Sequence, residues 1–421
     1  MELEKPKFFI DTKSFMVFAI IMGLVVVVRL GISYSNYIAF VQKPFYYTEA
    51  DVLQSYLKQK SNKTYTVLKL QSKEGWIFYT TTPVIESFDG YRLRIMVFPS
   101  NEVSFWAYLG NFYLKSRIKK KTKISQTFKN KVLQHIESQH PDKKIASFYN
   151  AIFFAQTIDQ SFRDAISRLG ANHIIALSGF HLGILWLVIY RLLWLVYAPL
   201  QQRYFPYRFA LLDVGAVVIV FLAWYVWFVD APPSLIRSYG MVLIGWMIVL
   251  SGVALINFGF LYSVVMFLLA LLPNLLVSYA FWLSVAGVHS IFLLLKYAQS
   301  VDKLTIALLI IPIGAFVLML PIVHGLFGVT TPYQLLSIIL SLLFAPFYLL
   351  TIALHAIGNG EATDFALAWL MRLPQGEVSE QMLSVYSVGI YVAFAFWAIV
   401  SRRVFVLLLT MAVGYGIFLY V

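Results

Sequence analysis

From residue 173 onward the chain is a succession of apolar runs separated by short polar breaks. A run of about 20 apolar residues in lipid must satisfy its backbone hydrogen bonds internally, so each run folds as a helix. Candidate spans fall at 173–197, 209–229, 235–256, 257–272, 275–295, 304–323, 333–356, 384–401 and 404–421. Composition agrees. Hydrophobic residues make up 60% of the chain and charged residues 13%, against about 25% charged in an ordinary soluble domain. A water-soluble enzyme, a disordered chain and a fibrous one are excluded. Cysteine is absent, which removes disulfides and thiolate metal sites from consideration.

Residues 1–14 are polar and carry Lys5, Lys7 and Lys13; residues 15–32 are apolar apart from Arg29. That run is too long for a signal peptide and no small-residue cleavage pattern follows it. It reads as a first transmembrane helix over 1–42 with its N-terminus in the cytoplasm. The total is then about ten spans. The short basic loop 201–208 reads as cytoplasmic, which places 43–171 outside. Arg402 and Arg403 belong inside by the same bias, although simple alternation of ten spans puts them outside. One segment is therefore re-entrant or miscounted, the stretches near Pro232–Pro233 or 324–332 being the candidates.

Residues 43–125 look like β structure. Strands are predicted over 65–70 and 76–81, joined by a turn at Lys73, Glu74 and Gly75. Another covers 91–98 after the turn pair Asp89–Gly90, with Arg92 and Arg94 on one face. A further strand covers 105–114. Such short strands suit a small extracytoplasmic β-barrel, OB-like in type, inserted after the first helix. Residues 126–171 read as a basic linker and one amphipathic interfacial helix over 145–169. The remainder, 172–421, is the transmembrane bundle.

Charge is concentrated outside the bundle. Residues 43–144 hold 18 Lys and Arg against 8 Asp and Glu; residues 172–421 hold 9 against 7. Six of the nine residues 115–123 are basic. This points to a polyanion or anionic lipid as neighbour, with a solvated linker as the plainer reading of 115–123.

Polar groups inside apolar spans are costly and therefore informative. Segment 173–183, HIIALSGFHLG, holds His173, Ser178 and His181, with Gly179 and Gly183 in GxxxG spacing. It reads either as a helix-packing motif or as a helix opening onto a polar path. Around Asp230, the pair Pro232–Pro233 interrupts the helix, Ser234 is a candidate N-cap and Arg237 enters an apolar run. Ser284 and His289 lie mid-span, and 324–332 reads as an irregular loop. The seven histidines are not clustered with acids, so neither a metal nor another cofactor is expected. No Walker A, GxGxxG or GxSxG pattern occurs.

Segment 173–183 resembles the "HLLAISGLHIG" signature of the ComEC competence family, inner-membrane channels of natural transformation. Residues 233–237 with Met241 resemble its "SvlRAxlM" element, and 274–288 its "dP…GFqLSfaAV" element. Leu320, Pro321 and Pro346 fit a later "lPl…F…N…P" pattern. Phe180, Ser238, Trp282 and Ser341 depart from the usual Leu, Ala, Gln and Asn. Many members carry a C-terminal metallo-β-lactamase-like domain, whereas this sequence ends in an apolar run at Val421; a short form is expected. The resemblance implies a non-enzymatic channel in the cytoplasmic membrane, translocating single-stranded DNA past His173, Ser178, Gly179, His181, Gly183, Arg237 and Ser284. The β domain would receive the strand, with Arg92, Arg94, Lys115 and Arg117 on phosphates and Trp76, Tyr79, Phe105 or Trp106 stacking on bases. Implied partners are an extracytoplasmic DNA receptor, a separate nuclease, a cytoplasmic helicase or motor, membrane lipid and further copies of the chain. The competing readings are a small-molecule transporter or membrane scaffold, and an intramembrane hydrolase using Ser178 and His181.

Overall fold

The computed structural model describes residues 11–60, 63–86, 88, 90–99, 102–123, 128–250, 257–373 and 379–420. Lys5, Lys7, Asp89 and the end of the span predicted over 235–256 lie outside the described residues. Two compact units emerge: Asp11–Lys131 with Met266–Tyr279, and Val132–Val265 with Ala280–Val421.

The first unit begins with helix α1 (Thr12–Val41), whose N-terminus is capped by Asp11 accepting from the Ser14 amide at 2.7 Å. At about 1.5 Å per residue, this helix is long enough to cross a bilayer with turns to spare. It is apolar all round, and none of its spanning window is buried in protein, as a lipid-facing helix requires. Arg29 is the exception. Its Nη2 donates to the Leu271 carbonyl at 2.9 Å, where a neighbouring helix (Phe258–Leu271) ends with unpaired carbonyls that attract a cation.

A six-stranded sheet follows: β1 (Tyr46–Lys60), β2 (Lys63–Ser72), β3 (Ile77–Thr82), β4 (Tyr91–Phe98), β5 (Asn111–Tyr113) and β6 (Lys115–Lys123). The order is β5-β3-β2-β1-β4-β6, with β3–β5 parallel and the other pairs antiparallel. Long β1 pairs with β4 through Tyr46–Asp51 and with β2 from Ala50 onward. Leu68, Leu70, Phe78, Leu93, Ile95, Val97, Phe112 and the α1 residue Phe40 form the core. Gly75 and Gly90 have φ of 89° and 77°, the left-handed turns that their sequence contexts predict.

The predicted OB-like barrel is not what the ladders form. The sheet is open: Thr80 and Ser116 hydroxyls meet at 2.8 Å between its two margins, but no backbone ladder closes it among the described residues. The predicted strand over 105–114 is two elements. Ser104 accepts from the Ala107 amide at 3.2 Å and starts a helical turn, α2 (Phe105–Leu109), before the chain enters β5. The basic run 115–123 is a strand rather than a linker. It half-buries Ser116 and Ile118 and leaves its Lys and Arg exposed along an edge, a disposition that discourages pairing with other sheets.

The second unit opens within α3 (Phe128–Glu137, whose first residues belong to the first unit), followed by α4 (Lys143–Phe154) and α5 (Gln160–Arg168). The single amphipathic helix predicted over 145–169 is broken, because Ala155 adopts φ 55° and ends α4 while Asp159 caps α5 anew. Then come α6 (Asn172–Ile175), α7 (Gly179–Tyr204), α8 (Ala210–Phe228), α9 (Pro233–Leu250), α10 (Phe258–Leu271, whose last residues belong to the first unit), α11 (Tyr279–Tyr297), α12 (Lys303–His324), α13 (Leu336–Ala356), α14 (Asp364–Arg372), α15 (Val385–Trp397) and α16 (Arg402–Tyr420). Among the described residues seven helices are long and apolar enough to cross a membrane. Three of the ten expected spans, in α9, α10 and α15, are apolar over 10–17 residues among the described ones.

Both suspected irregular stretches are so. Asp230 and Ala231 have φ of 64° and 49°, a left-handed pair that turns the chain before Pro232. Helix α9 begins at Pro233, so Ser234 lies inside it rather than capping it; Pro suits a first helical position because its missing N–H has no partner there. In the stretch 324–332, β7 (Val329–Thr330) pairs with β8 (Ser379–Glu380).

Candidate functional site

The segment 173–183 is not one helix. Its first residues form α6, the chain extends through Ala176, and α7 starts at Gly179 with Ser178 as N-cap. Ser178 Oγ accepts from the Phe180 amide at 3.2 Å, and the Ser178 amide donates to His181 Nδ1 at 3.2 Å. This is a capping box with His in place of the usual Glu. It explains the Ser-x-x-His spacing without catalysis. An Nδ1 that accepts a backbone N–H leaves the ring proton on Nε2, and that atom is buried with no partner. The ring stands edge-on to Phe344 at 4.8 Å and Tyr348 at 5.0 Å, and no acid hydrogen-bonds to it among the described residues.

The two glycines differ. A Cβ on Gly179 would stand 2.8 Å from Ser238 Oγ, 3.3 Å from Ser238 Cβ and 3.4 Å from Arg237 Nη2; a Cβ on Gly183 would meet nothing within 4 Å. Close approach is therefore the property of Gly179, and the GxxxG reading fails at Gly183. The helix that approaches is α9.

Arg237 does not snorkel. It is 3% exposed. Nη1 donates to Met241 Sδ and Nη2 to Ser238 Oγ, each at 2.8 Å, and Nε has no partner. Neither acceptor is charged, and Arg237 forms no ion pair among the described residues. A buried guanidinium so poorly compensated costs several kcal/mol of desolvation. His173 is held separately: Nε2 reaches Ser341 Oγ at 2.8 Å, and Nδ1 lies 3.1 Å from the Gly170 carbonyl. Ser341 is the position at which the competence pattern has Asn. Motif elements 168 residues apart are in contact here. Ser284, on α11, is half-buried and joins this group through no hydrogen bond.

In the first unit, pairing brings the predicted basic residues together. Arg94 faces Lys120, Met96 faces Arg117 and Phe98 faces Lys115, and the period-2 alternation puts all four basic side chains with Arg92 on the outer face. Acids on β1 share that face: Asp51 opposes Arg92 and Glu49 opposes Arg94. Arg92 is tied bidentately to Asp51 at 2.6 and 2.9 Å. Lys73 pairs with Glu49 at 2.5 Å and holds that carboxylate below its ordinary range. Arg94 forms no ion pair among the described residues. Arg117 lies over Phe98 at 5.9 Å. Trp76 is half-buried, edge-on to Phe40 at 4.7 Å, with its Nε1 donating to Tyr108 at 3.2 Å; it belongs to the core. Lys69 covers Tyr79 at 5.9 Å. Phe105 packs on Tyr34 and Tyr37, and Trp106 remains exposed.

The family model described as Competence protein matches residues 154–419. The chain belongs to this family. The match runs across the α7–α9–α13 contact and covers well over half of the sequence. Membership connects this competence protein with DNA uptake in transformation, and its seven long apolar helices make it a membrane protein. No curated protein and no solved structure matches it.

Proposed function

We propose that this competence protein conducts single-stranded DNA across the cytoplasmic membrane during natural transformation. The observation that carries the reading is Arg237, a permanent cation buried beside the start of α7 without a counter-charge among the described residues. A chain under selection for stability alone replaces such a group with an apolar one. A passing phosphodiester supplies the missing negative charge. In the described conformation Gly179 and Ser238 are in contact, so passage requires α7 and α9 to part there, exposing Ser178, His181 and Arg237; Ser284 on α11 lines the same path. The outer face around Arg94, Lys115, Arg117 and Lys120 receives the strand by phosphate contacts. Lipid surrounds α1 and the bundle. A receptor outside, a nuclease that makes the single strand, a cytoplasmic helicase or motor, and further copies of the chain complete the apparatus. The protein itself performs no catalytic step.

The test is uptake of end-labelled duplex DNA by cells lacking the protein, with surface-bound and cytoplasmic label counted separately. Label that binds outside and fails to enter, restored by the wild-type chain, is the expected result. Undiminished cytoplasmic label in the deletion overturns the reading.

A further inference from the structure

Away from the motif contact, three titratable residues from distant parts of the sequence meet in the second unit. His140 follows α3, His355 lies in the last turn of α13, and Asp364 opens α14. His140 Nδ1 lies 2.9 and 3.1 Å from the two Asp364 carboxyl oxygens, and its Nε2 lies 2.9 Å from His355 Nε2. His355 Nδ1 lies 2.7 Å from the Thr351 carbonyl oxygen. Both rings are buried. His140 stacks on Tyr149 at 4.5 Å and 11°, and Phe153 stands edge-on to His355 at 5.1 Å.

These contacts fix a proton count. A carbonyl only accepts, so His355 Nδ1 carries a hydrogen. If the His355 ring is neutral, its Nε2 is a lone pair, and His140 Nε2 must donate to it. His140 Nδ1 then faces a carboxyl group, so a proton sits either on Nδ1, making an imidazolium beside a carboxylate, or on Asp364 itself. Placing the imidazolium on His355 gives the same total. In every arrangement the three groups hold one proton more than a carboxylate and two neutral imidazoles. Remove it, and either two lone pairs or a lone pair and a carboxylate confront each other at 2.9 Å, in surroundings too dry to screen them.

We propose that the Asp364–His140–His355 chain is a single-proton switch that ties α3, the end of α13 and the start of α14 together when protonated and releases them when the proton leaves. The proposal is independent of what the bundle carries. Facing the chain are Glu361 before α14, Asp142 at the α4 N-cap and His135 on α3. Tyr149 is held neutral by burial, with its hydroxyl 2.6 Å from Thr363 Oγ1. Gln139 bridges His355 O and Gly360 N without titrating. Burial raises the Asp364 carboxyl above its ordinary value against the pull of His140, and Glu361 and Asp142 add to the rise. A raised value means the tie is present at low pH and lost as pH rises. A metal ion between the two Nε2 atoms is the other way to separate facing lone pairs, but no third ligand accompanies them among the described residues.

The experiment uses the full chain in lipid nanodiscs. Amide exchange over residues 351–366 is followed from about pH 5 to pH 9, corrected for intrinsic rates, in the wild type and in Asp364→Asn. The wild type is expected to lose about tenfold in protection through one transition with a one-proton slope. Asp364→Asn is expected to stay protected throughout, because its amide donates to His140 Nδ1 and both rings remain neutral with every contact satisfied. Imidazole ¹⁵N and Asp364 carboxyl ¹³C spectra of the wild type, which need no variant, should together show one proton lost at the same midpoint. A wild type without a transition, the same transition in Asp364→Asn, or two neutral rings beside an ionised Asp364 carboxylate at every pH overturns the proposal. So does a stoichiometric metal whose removal by a chelator abolishes protection.

Discussion

Arg237 Nη2 lies 3.4 Å from where a Cβ on Gly179 would stand, so a buried cation lies against the glycine at this crossing of α7 and α9. The glycine and the arginine are parts of one device. A side chain at 179 would meet Ser238 first and the guanidinium beside it next. The local sequence supports the approach: Ser178 ends the chain's extended approach and starts α7 at Gly179, one residue before an exposed Phe180.

Gly179→Ala is expected to destabilise the contact by about 1–3 kcal/mol through overpacking, because the new Cβ meets Ser238 at 2.8 Å. Transformation should fall at unchanged membrane level. Gly183→Ala, with nothing within 4 Å, should match the wild type. Adding Ser238→Gly to Gly179→Ala removes the clashing atoms and should relieve the overpacking, but it also removes the Oγ that accepts from Arg237 Nη2, so recovery should be partial. Thermal midpoints of purified protein and transformation frequencies decide it; equal losses at 179 and 183 would show that GxxxG acts as a whole.

The positions of most elements were legible in the sequence where a physical period was strong. Apolar runs gave the membrane helices, and alternation in 91–98 put Arg92 and Arg94 on one face, as the register bears out. Failures came where a single residue overrode a period. Ala155 in the left-handed region splits one predicted amphipathic helix, and Ser104 starts a helical turn where aromatic residues suggested a strand. The lysines of 115–123 concealed a strand, because half-burying only Ser116 and Ile118 leaves little hydrophobic signal. His140, His355 and Asp364 carried no local signal. They lie 215 and 224 residues apart, and only the fold makes them neighbours.

On the outer face of the sheet, single-stranded DNA should bind the full protein with a steep salt dependence, each phosphate contact contributing close to one unit of slope, about 0.7 for single strands. Arg94→Ala, Lys115→Ala and Arg117→Ala should each flatten the slope. Arg92→Ala should do less, since Asp51 already holds that guanidinium in a bidentate pair. Titrations of a labelled oligonucleotide at several salt concentrations measure this. A slope unchanged in the triple variant would return the face to a role in deterring edge pairing.

Asp159 caps α5 by accepting from the Ser161 and Phe162 amides at 3.0 and 3.4 Å. The Ser161 hydroxyl, followed by these amides, holds the carboxyl below its ordinary value against partial burial. A lowered value means that the stabilisation is present above the unfolded carboxylate range, about pH 4, and is lost as pH falls through the folded value. Asp159→Ala should cost about 0.5–2 kcal/mol at neutral pH and show a smaller loss of stability on acidification. Asp159→Asn keeps the acceptor and should cost less. Denaturation at pH 7 and at about pH 3, compared between variants, reads both effects.

Arg237 separates stability from transport. Arg237→Met keeps the length of the side chain, removes an uncompensated buried charge, and should leave folding unchanged or raise the thermal midpoint. If the cation serves passing phosphates, the same variant should transform at least about tenfold less well, which corresponds to about 1.4 kcal/mol lost along the path. Arg237→Lys retains the charge but not the planar fork that reaches Met241 and Ser238 together; it should transform better than Arg237→Met and fold less well than the wild type. The measurements are the thermal midpoint in detergent and the transformation frequency per unit of membrane protein. A methionine variant that is more stable and transforms normally would make Arg237 a structural residue and move the path away from the start of α7.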